Sequence, residues 1–169
     1  LHVVGSENFT VALTRSFSRL NGCLITLYNA SQAGTKALNT FYHKAGTGAA
    51  ITKLNDSITL SMQLGAKRMP EYPISSCSEF VMHLQSLLGI LHGESSFNIT
   101  SRGYHSDSFI MGYNMEKLSG SGAEYSGLNS KDNLLTCDVK GATGATQCYV
   151  TLIYSSIVNV RAGSTEVLD

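Results

Sequence analysis

Hydrophobic and polar residues alternate along several stretches of the chain. In "ENFTVALTRSF" the apolar residues Phe9, Val11 and Leu13 are separated by Thr10 and Ala12. Successive side chains of a strand point to opposite faces, so a period of two predicts a strand with one buried face. Strand patterns also occur in four further segments: "GCLITLYN", "SITLSMQLG", "DSFIMGYNMEK" and "NLLTCDVKG".

The last part of the chain has a different pattern. "QCYVTLIYSSIVNV" is apolar on both faces in its first half, which predicts one long strand in the centre of a sandwich. In the strand before it, the pattern turns Leu135, Cys137 and Val139 inward. If a hairpin turn lies within 141–147, Cys137 and Cys148 are diagonal neighbours on one face. Diagonal Cα atoms are often too far apart for a disulfide, so the cysteines are interpreted as free thiols, and a bridge between these two stays open.

Both prolines of the chain lie in "KRMPEYPISSCSEFVMHLQSLLG", residues 67–89. Because proline cannot donate a ladder hydrogen bond, Pro70 and Pro73 predict that the chain leaves the sheet here, at an edge or in a linker. Ser76 and Glu79 then fit a capping box, in which each side chain accepts a hydrogen bond from the other residue's backbone amide. Together these features predict a helix inserted between strands.

Apolar residues after the capping box recur at helical spacing and predict an amphipathic helix over residues 76–88. Gly89 is placed to end this helix in a left-handed conformation. We expect Glu79 and His83, on the polar flank, to lie at the surface, and Phe80, Leu84 and Leu88 to be buried. The whole predicted apolar stripe comprises Cys77, Phe80, Val81, Leu84 and Leu88.

The number and order of these elements predict the fold class. Six or seven strands, one short helix and no alternation of strands with helices are typical of an all-β protein, here an antiparallel β-sandwich. A chain of 169 residues is most simply one domain. Its charged residues make up 14%, against about 25% in an average protein. The net charge of zero does not point to nucleic acid or an anionic membrane, and no apolar run reaches the roughly 18 residues of a membrane span.

The charges are unevenly distributed along the chain. Residues 1–68 carry seven Lys or Arg and two Asp or Glu, whereas residues 69–169 carry five and ten. One interpretation is that two complementary faces meet between copies of the protein. The simpler interpretation is that the two halves interleave in one sandwich, so that their charges mix.

The sequence contains none of the common catalytic motifs. It has no G-x-x-x-x-G-K-[ST], G-x-S-x-G or H-E-x-x-H segment. Glu79 and His83 are spaced four residues apart, and Cys77 lies near them in sequence. However, Cys77 falls on the predicted apolar stripe and the other two on its polar flank, which favours a surface pair over a metal or catalytic site. No catalytic, metal-binding or cofactor-binding residue is predicted, and the chain is interpreted as not being an enzyme.

The polar loop "SRGYHSDS" is the best candidate for contacts with a ligand or another subunit. It groups Arg102, Tyr104, His105 and Asp107, although an ordinary solvated loop is the simpler interpretation. The remaining loop histidines, His43 and His92, are interpreted as surface residues. Asn-x-Ser/Thr sites, whose use stays open, occur at Asn8, Asn29, Asn55 and Asn98.

Three segments together carry a resemblance to a known family: "TRSFSRLNGCLITLYN", "KRMPEYPISSCSEFVMHLQSLLG" and "VNVRAGSTEVLD". Their order and style resemble the C-terminal jelly roll of viral major capsid proteins, above all those with two jelly rolls found in DNA viruses and virus-like elements. The resemblance covers most of the chain and carries over no catalytic residue. It implies a jelly-roll domain, residues 1–169, that forms the C-terminal part of a longer protein; the alternative is a protein with a single jelly roll.

The resemblance also implies a function. We expect a structural capsid protein that assembles with copies of itself, in trimeric capsomers, and with other capsid proteins in the virion. It implies no cofactor, no sequence-specific nucleic acid and no membrane span. The alternative is an extracellular lectin-like or trimeric-ligand binding module on a similar sandwich. A cupin-like enzyme is disfavoured because the predicted strands contain no clustered His/Glu metal set.

Overall fold

A computed structural model of the chain describes residues 1–28, 58–88, 104, 109–116, 127–142, 144–161 and 163–168. These residues form ten strands and one helix. The strands are β1 (His2–Val3), β2 (Phe9–Leu13), β3 (Leu20–Tyr28), β4 (Thr59–Leu64), β5 (Lys67–Ile74), β6 (Met111–Asn114), β7 (Leu135–Lys140), β8 (Gln147–Tyr154), β9 (Ile157–Arg161) and β10 (Ser164–Leu168), and the helix is α1 (Cys77–Leu87).

Eight strands form two four-stranded antiparallel sheets that pack as a sandwich. The first sheet has the order β1-β8-β3-β6 and the second sheet the order β2-β7-β4-β5. The chain pairs with itself as a series of nested hairpins, β1 with β8, β2 with β7, β3 with β6 and β4 with β5. This ribbon is rolled up so that β8 also pairs with β3, and β7 with β4. Such a rolled, eight-stranded double sheet is a jelly roll, so the predicted fold class is confirmed.

The two halves of the chain interleave in both sheets. Strands β1 and β3 lie beside β6 and β8, and β2 and β4 lie on either side of β7. The core is the apolar layer between the sheets, and the predicted inward face of β7, formed by Leu135, Cys137 and Val139, is fully buried. The strand order therefore agrees with mixed charges rather than with one basic and one acidic half.

Strand β5 lies at a sheet edge, as the prolines predict, but the expectation that the chain leaves the sheet there is wrong. The chain turns at Gly65, whose φ of 57° suits glycine in a two-residue hairpin loop, and pairs again with β4. The ladder is interrupted between the pairs Leu60–Ile74 and Met62–Met69, where residues 70–73 lie opposite one residue of β4. Both prolines therefore occupy a bulge on an edge strand, where few ladder hydrogen bonds are lost.

The C-terminal region corrects two further predictions. The expected single long strand is broken after Tyr154, and residues 157–168 form a separate antiparallel hairpin of β9 and β10. The hairpin considered within 141–147 is not formed, because β7 and β8 lie in opposite sheets and this segment crosses between them. The central position of β8, between β1 and β3, is confirmed.

Helix α1 agrees closely with its sequence signature. Both hydrogen bonds of the capping box are present: the Glu79 amide donates to Ser76 Oγ over 3.2 Å, and the Ser76 amide donates to Glu79 Oε2 over 3.3 Å. Phe80 and Leu84 are buried as predicted, but Leu88 is 43% exposed. The helix ends at Leu87, and Leu87 contacts the sheet near Gly22 in place of Leu88. Gly89 lies outside the described residues.

The helix packs on the outer face of the first sheet at its edge strand β6. A Cβ built on Gly112 would lie only 2.9 Å from Leu84 Cδ1 and 3.1 Å from Leu84 Cα, so the absence of a side chain lets the helix approach the strand closely. Asn114 Nδ2 also donates hydrogen bonds to Ser86 O and Oγ, over 3.3 and 3.0 Å. The inserted helix therefore covers the outer face of the first sheet beside its edge strand.

Candidate functional site

Glu79 and His83, the two helix residues considered for chemistry, have structural roles. The Glu79 carboxylate accepts hydrogen bonds from the backbone amides of Ser75 and Ser76, and these bonds hold the pKa of Glu79 below its usual value. His83 is half-buried, more than predicted, and its ring lies 5.2 Å from the ring of Tyr113. Burial lowers the pKa of His83 and raises the pKa of Cys77. Among the described residues, no group of three or more His, Cys, Asp and Glu could hold a metal ion.

Three of the four cysteines are buried in the core of the sandwich. Cys23 in the first sheet donates a hydrogen bond to the sulfur of Met62 in the second sheet, over 3.6 Å, and Met62 pairs with Cys137. Hydrogen bonding with the Cys137 thiol, together with burial, raises the pKa of Cys23. Burial raises the pKa of Cys148 to about 12. All the cysteines are free, so Cys137 and Cys148 are not bridged.

This burial predicts the order in which the thiols react. We expect iodoacetamide to modify only Cys77 in the native protein, because this residue is half-buried on the helix and the other three are inaccessible. In urea all four cysteines should be modified. Intact-mass measurement and peptide mapping check this expectation, and modification of Cys23 at the rate of Cys77 without denaturant would contradict it.

Tyr104 is the one described residue of the predicted ligand loop, and it belongs to the core. Its side chain is 2% exposed, and its hydroxyl donates a hydrogen bond to the Ile110 carbonyl over 2.7 Å. Its ring lies 5.3 Å from the ring of Phe109, which contacts Phe80 of the helix. Tyr104 therefore supports the helix rather than contacting a ligand. Other candidates lie outside the described residues: Arg102, His105, Asp107, His43, His92, and the sequons at Asn29, Asn55 and Asn98.

A polar cleft that the sequence did not predict opens at one end of the sandwich. It has a volume of about 270 Å³ and is lined by residues 13–16 after β2 and residues 130–134 before β7. The Arg15 guanidinium lies 5.1 Å from the ring centre of Phe17. The buried Ser130 hydroxyl fixes the cleft wall, since it accepts a hydrogen bond from the Phe17 amide over 2.9 Å. The cleft lining contains no aromatic side chain, so it offers charge and hydrogen bonds but no stacking surface.

Among the described residues, the C-terminal hairpin groups three exposed apolar side chains. Val158, Val160 and Val167 are 53, 72 and 57% exposed, and Val158 lies directly opposite Val167. Alternate residues of a strand share a face, so the three valines lie on one face of the hairpin. Apolar side chains grouped on an exposed surface often mark a site of contact with other molecules. The hairpin is therefore the leading candidate for an interaction surface within the described part of the chain.

Comparison of the chain with protein-family models, with curated proteins and with solved structures finds no match. Within the described residues, no helix has both the length and the apolar character that crossing a membrane requires.

Proposed function

We propose that the chain is a structural coat protein whose jelly roll assembles with copies of itself into a viral or virus-like shell. The observation that carries the proposal is the nested-hairpin strand order, β1-β8-β3-β6 over β2-β7-β4-β5, with one helix placed at a sheet edge. This is the architecture that the resemblance to viral major capsid proteins implies. The proposed partners are further copies, as trimeric capsomers, and other capsid proteins of the virion.

A jelly roll by itself does not specify function, because the same fold carries lectins and enzymes. The side chains provide the additional support. Of the two polar residues considered for chemistry, Glu79 caps the helix and His83 packs its ring against Tyr113. Apolar side chains, by contrast, are exposed on the C-terminal hairpin. This distribution favours a protein that acts through its surfaces.

The alternative, a lectin-like or other ligand-binding module, has one observation in its favour. The polar cleft beside Arg15 and Lys131 could hold a small charged or hydroxylated ligand. Saturable binding of a soluble oligosaccharide by a monomeric protein, lost on Arg15→Ala, would favour this alternative.

The assembly state of the purified chain tests the proposal. We expect size-exclusion chromatography with light scattering to show multimers of the 18.1 kDa chain. Because charged residues are few, the multimers should persist in 1 M salt, where electrostatic contacts are screened to about 3 Å. A strictly monomeric product at every pH and salt concentration would contradict the proposal.

A further inference from the structure

The two sheets of the sandwich contact each other through sulfur atoms at one place in the core. Cys23 on β3 and Cys137 on β7 belong to different sheets, and the side chains of both are 0% exposed. Cys23 Sγ lies 3.6 Å from Met62 Sδ, and Met62 is the direct ladder partner of Cys137. The two thiols also share a hydrogen bond. A thiol of one sheet therefore meets a thiol of the other.

The strand register separates this pair from the other two cysteines. Cys23 lies opposite Leu152 of β8, so Cys148 is displaced from it by four residues along that strand. Four residues of a strand span roughly 13 Å, which is beyond the reach of a disulfide. Cys77 lies on the helix, which packs on the outer face of the first sheet. The geometry thus selects Cys137 as the partner of Cys23.

We propose that Cys23 and Cys137 are a redox pair, which a disulfide oxidant such as oxidised glutathione converts into a disulfide that joins the two sheets. One protein thiolate attacks oxidised glutathione, forms a mixed disulfide and releases the first reduced glutathione. The second protein thiolate attacks the protein sulfur of this mixed disulfide and releases the second reduced glutathione. The two protein thiols lose two electrons and two protons, and the two glutathione thiols gain them.

The burial of the pair determines when this exchange takes place. Thiol exchange needs a thiolate that the oxidant can reach. In the closed sandwich both thiols are inaccessible, and hydrogen bonding and burial raise the pKa of Cys23. The bridge therefore forms while the chain folds, and the closed core then protects either state of the pair. The pair records whether the chain folded in a reducing or an oxidising compartment, in a monomer and in an assembled shell alike.

The bridge would restrict the unfolded chain strongly. It closes a loop over residues 23–137, and the stabilisation that a disulfide provides increases with the length of the loop. Disulfides that join two packed sheets occur in the β-sandwiches of antibody domains, so the gap between sheets is compatible with such a bond. We expect the midpoint of thermal unfolding to be roughly 5–15 °C higher in the oxidised chain than in the reduced chain.

Refolding the chain from urea with oxidised glutathione tests the pairing directly. Free thiols are then blocked with iodoacetamide in urea without reductant, and the peptides are mapped by mass spectrometry. The expected map shows one peptide pair linked through Cys23 and Cys137, with Cys77 and Cys148 alkylated. A folded chain with all four cysteines alkylated, or a link between Cys137 and Cys148, would overturn the proposal. So would a chain that refolds only in dithiothreitol.

Two alanine variants relate the thermal shift to the pair. Cys137→Ala and Cys148→Ala each remove one buried thiol of the core, but only Cys137→Ala removes a member of the pair. The oxidised and reduced forms of the same variant are compared, so that the effect of the substitution itself cancels. The shift should persist in Cys148→Ala and vanish in Cys137→Ala, and equal shifts in both variants would contradict the inference. If a variant does not fold, the peptide map of the unmodified chain still decides the pairing.

Discussion

Replacing Phe80 by alanine is expected to lower the free energy of unfolding by about 3–5 kcal/mol, the usual cost of truncating a buried aromatic residue. Phe80 is 1% exposed, and its ring meets the ring of Phe109 edge to face, with 5.6 Å between ring centres. Phe109 in turn contacts Tyr104, so the substitution removes the apolar contact between the helix and this aromatic cluster. A cavity of this size cannot be refilled without moving the helix.

Urea unfolding of Phe80→Ala and of the unmodified chain measures this loss. Met82→Ala is the matched control on the same helix, because Met82 is exposed and its truncation should change the free energy of unfolding by less than about 0.5 kcal/mol. A loss below about 1 kcal/mol for Phe80→Ala would contradict the packing described for α1.

Replacing Gly112 by valine is expected to displace α1 from the first sheet. The added Cβ would lie 3.1 Å from Leu84 Cα, a backbone atom that cannot move unless the helix moves with it. Overpacking of this kind typically costs about 1–3 kcal/mol. In addition, the reaction of Cys77 with iodoacetamide should become faster, because this half-buried thiol lies in the first turn of the displaced helix.

Gly5→Val is the matched control for the valine substitution. A Cβ on Gly5 would meet no atom within 4 Å, so the same change of residue should alter neither stability nor the reactivity of Cys77. If Gly112→Val also left both quantities unchanged, the close contact between α1 and β6 would be wrong.

The local elements could be predicted from sequence because their signals are local. The alternation in β7 predicts its buried face, and the capping box at Ser76 and Glu79 predicts the first turn of the helix. Both signals depend on residues a few positions apart. The all-β sandwich follows from the count of such elements, and the jelly-roll order was expected from the resemblance alone.

The errors concern features that depend on distant parts of the chain. Pro70 and Pro73 fit a strand because β5 is bulged opposite Ser61, which the local sequence does not reveal. The crossing after β7 resembles a hairpin turn in sequence, yet the strands that it joins pair with other partners. Leu88 and Leu87 are both apolar, and only the position of the sheet decides which of them contacts it: Leu87 lies against the sheet at Gly22, whereas Leu88 is exposed.

The candidate interaction surface was missed for the same reason. The alternation of Val158 and Val160 was interpreted as the end of one long central strand, which would have buried both residues. The strand ends at Tyr154, which separates β9 from β8 and leaves Val158 and Val160 exposed. No sequence motif marks this surface.

Negative-stain microscopy of the purified chain over a range of protein concentrations tests self-assembly most directly. We expect particles of uniform size and repeating symmetry, each built from many copies of the 18.1 kDa chain. A field that shows only single-chain particles at every concentration, pH and salt condition would contradict the assignment as a coat protein.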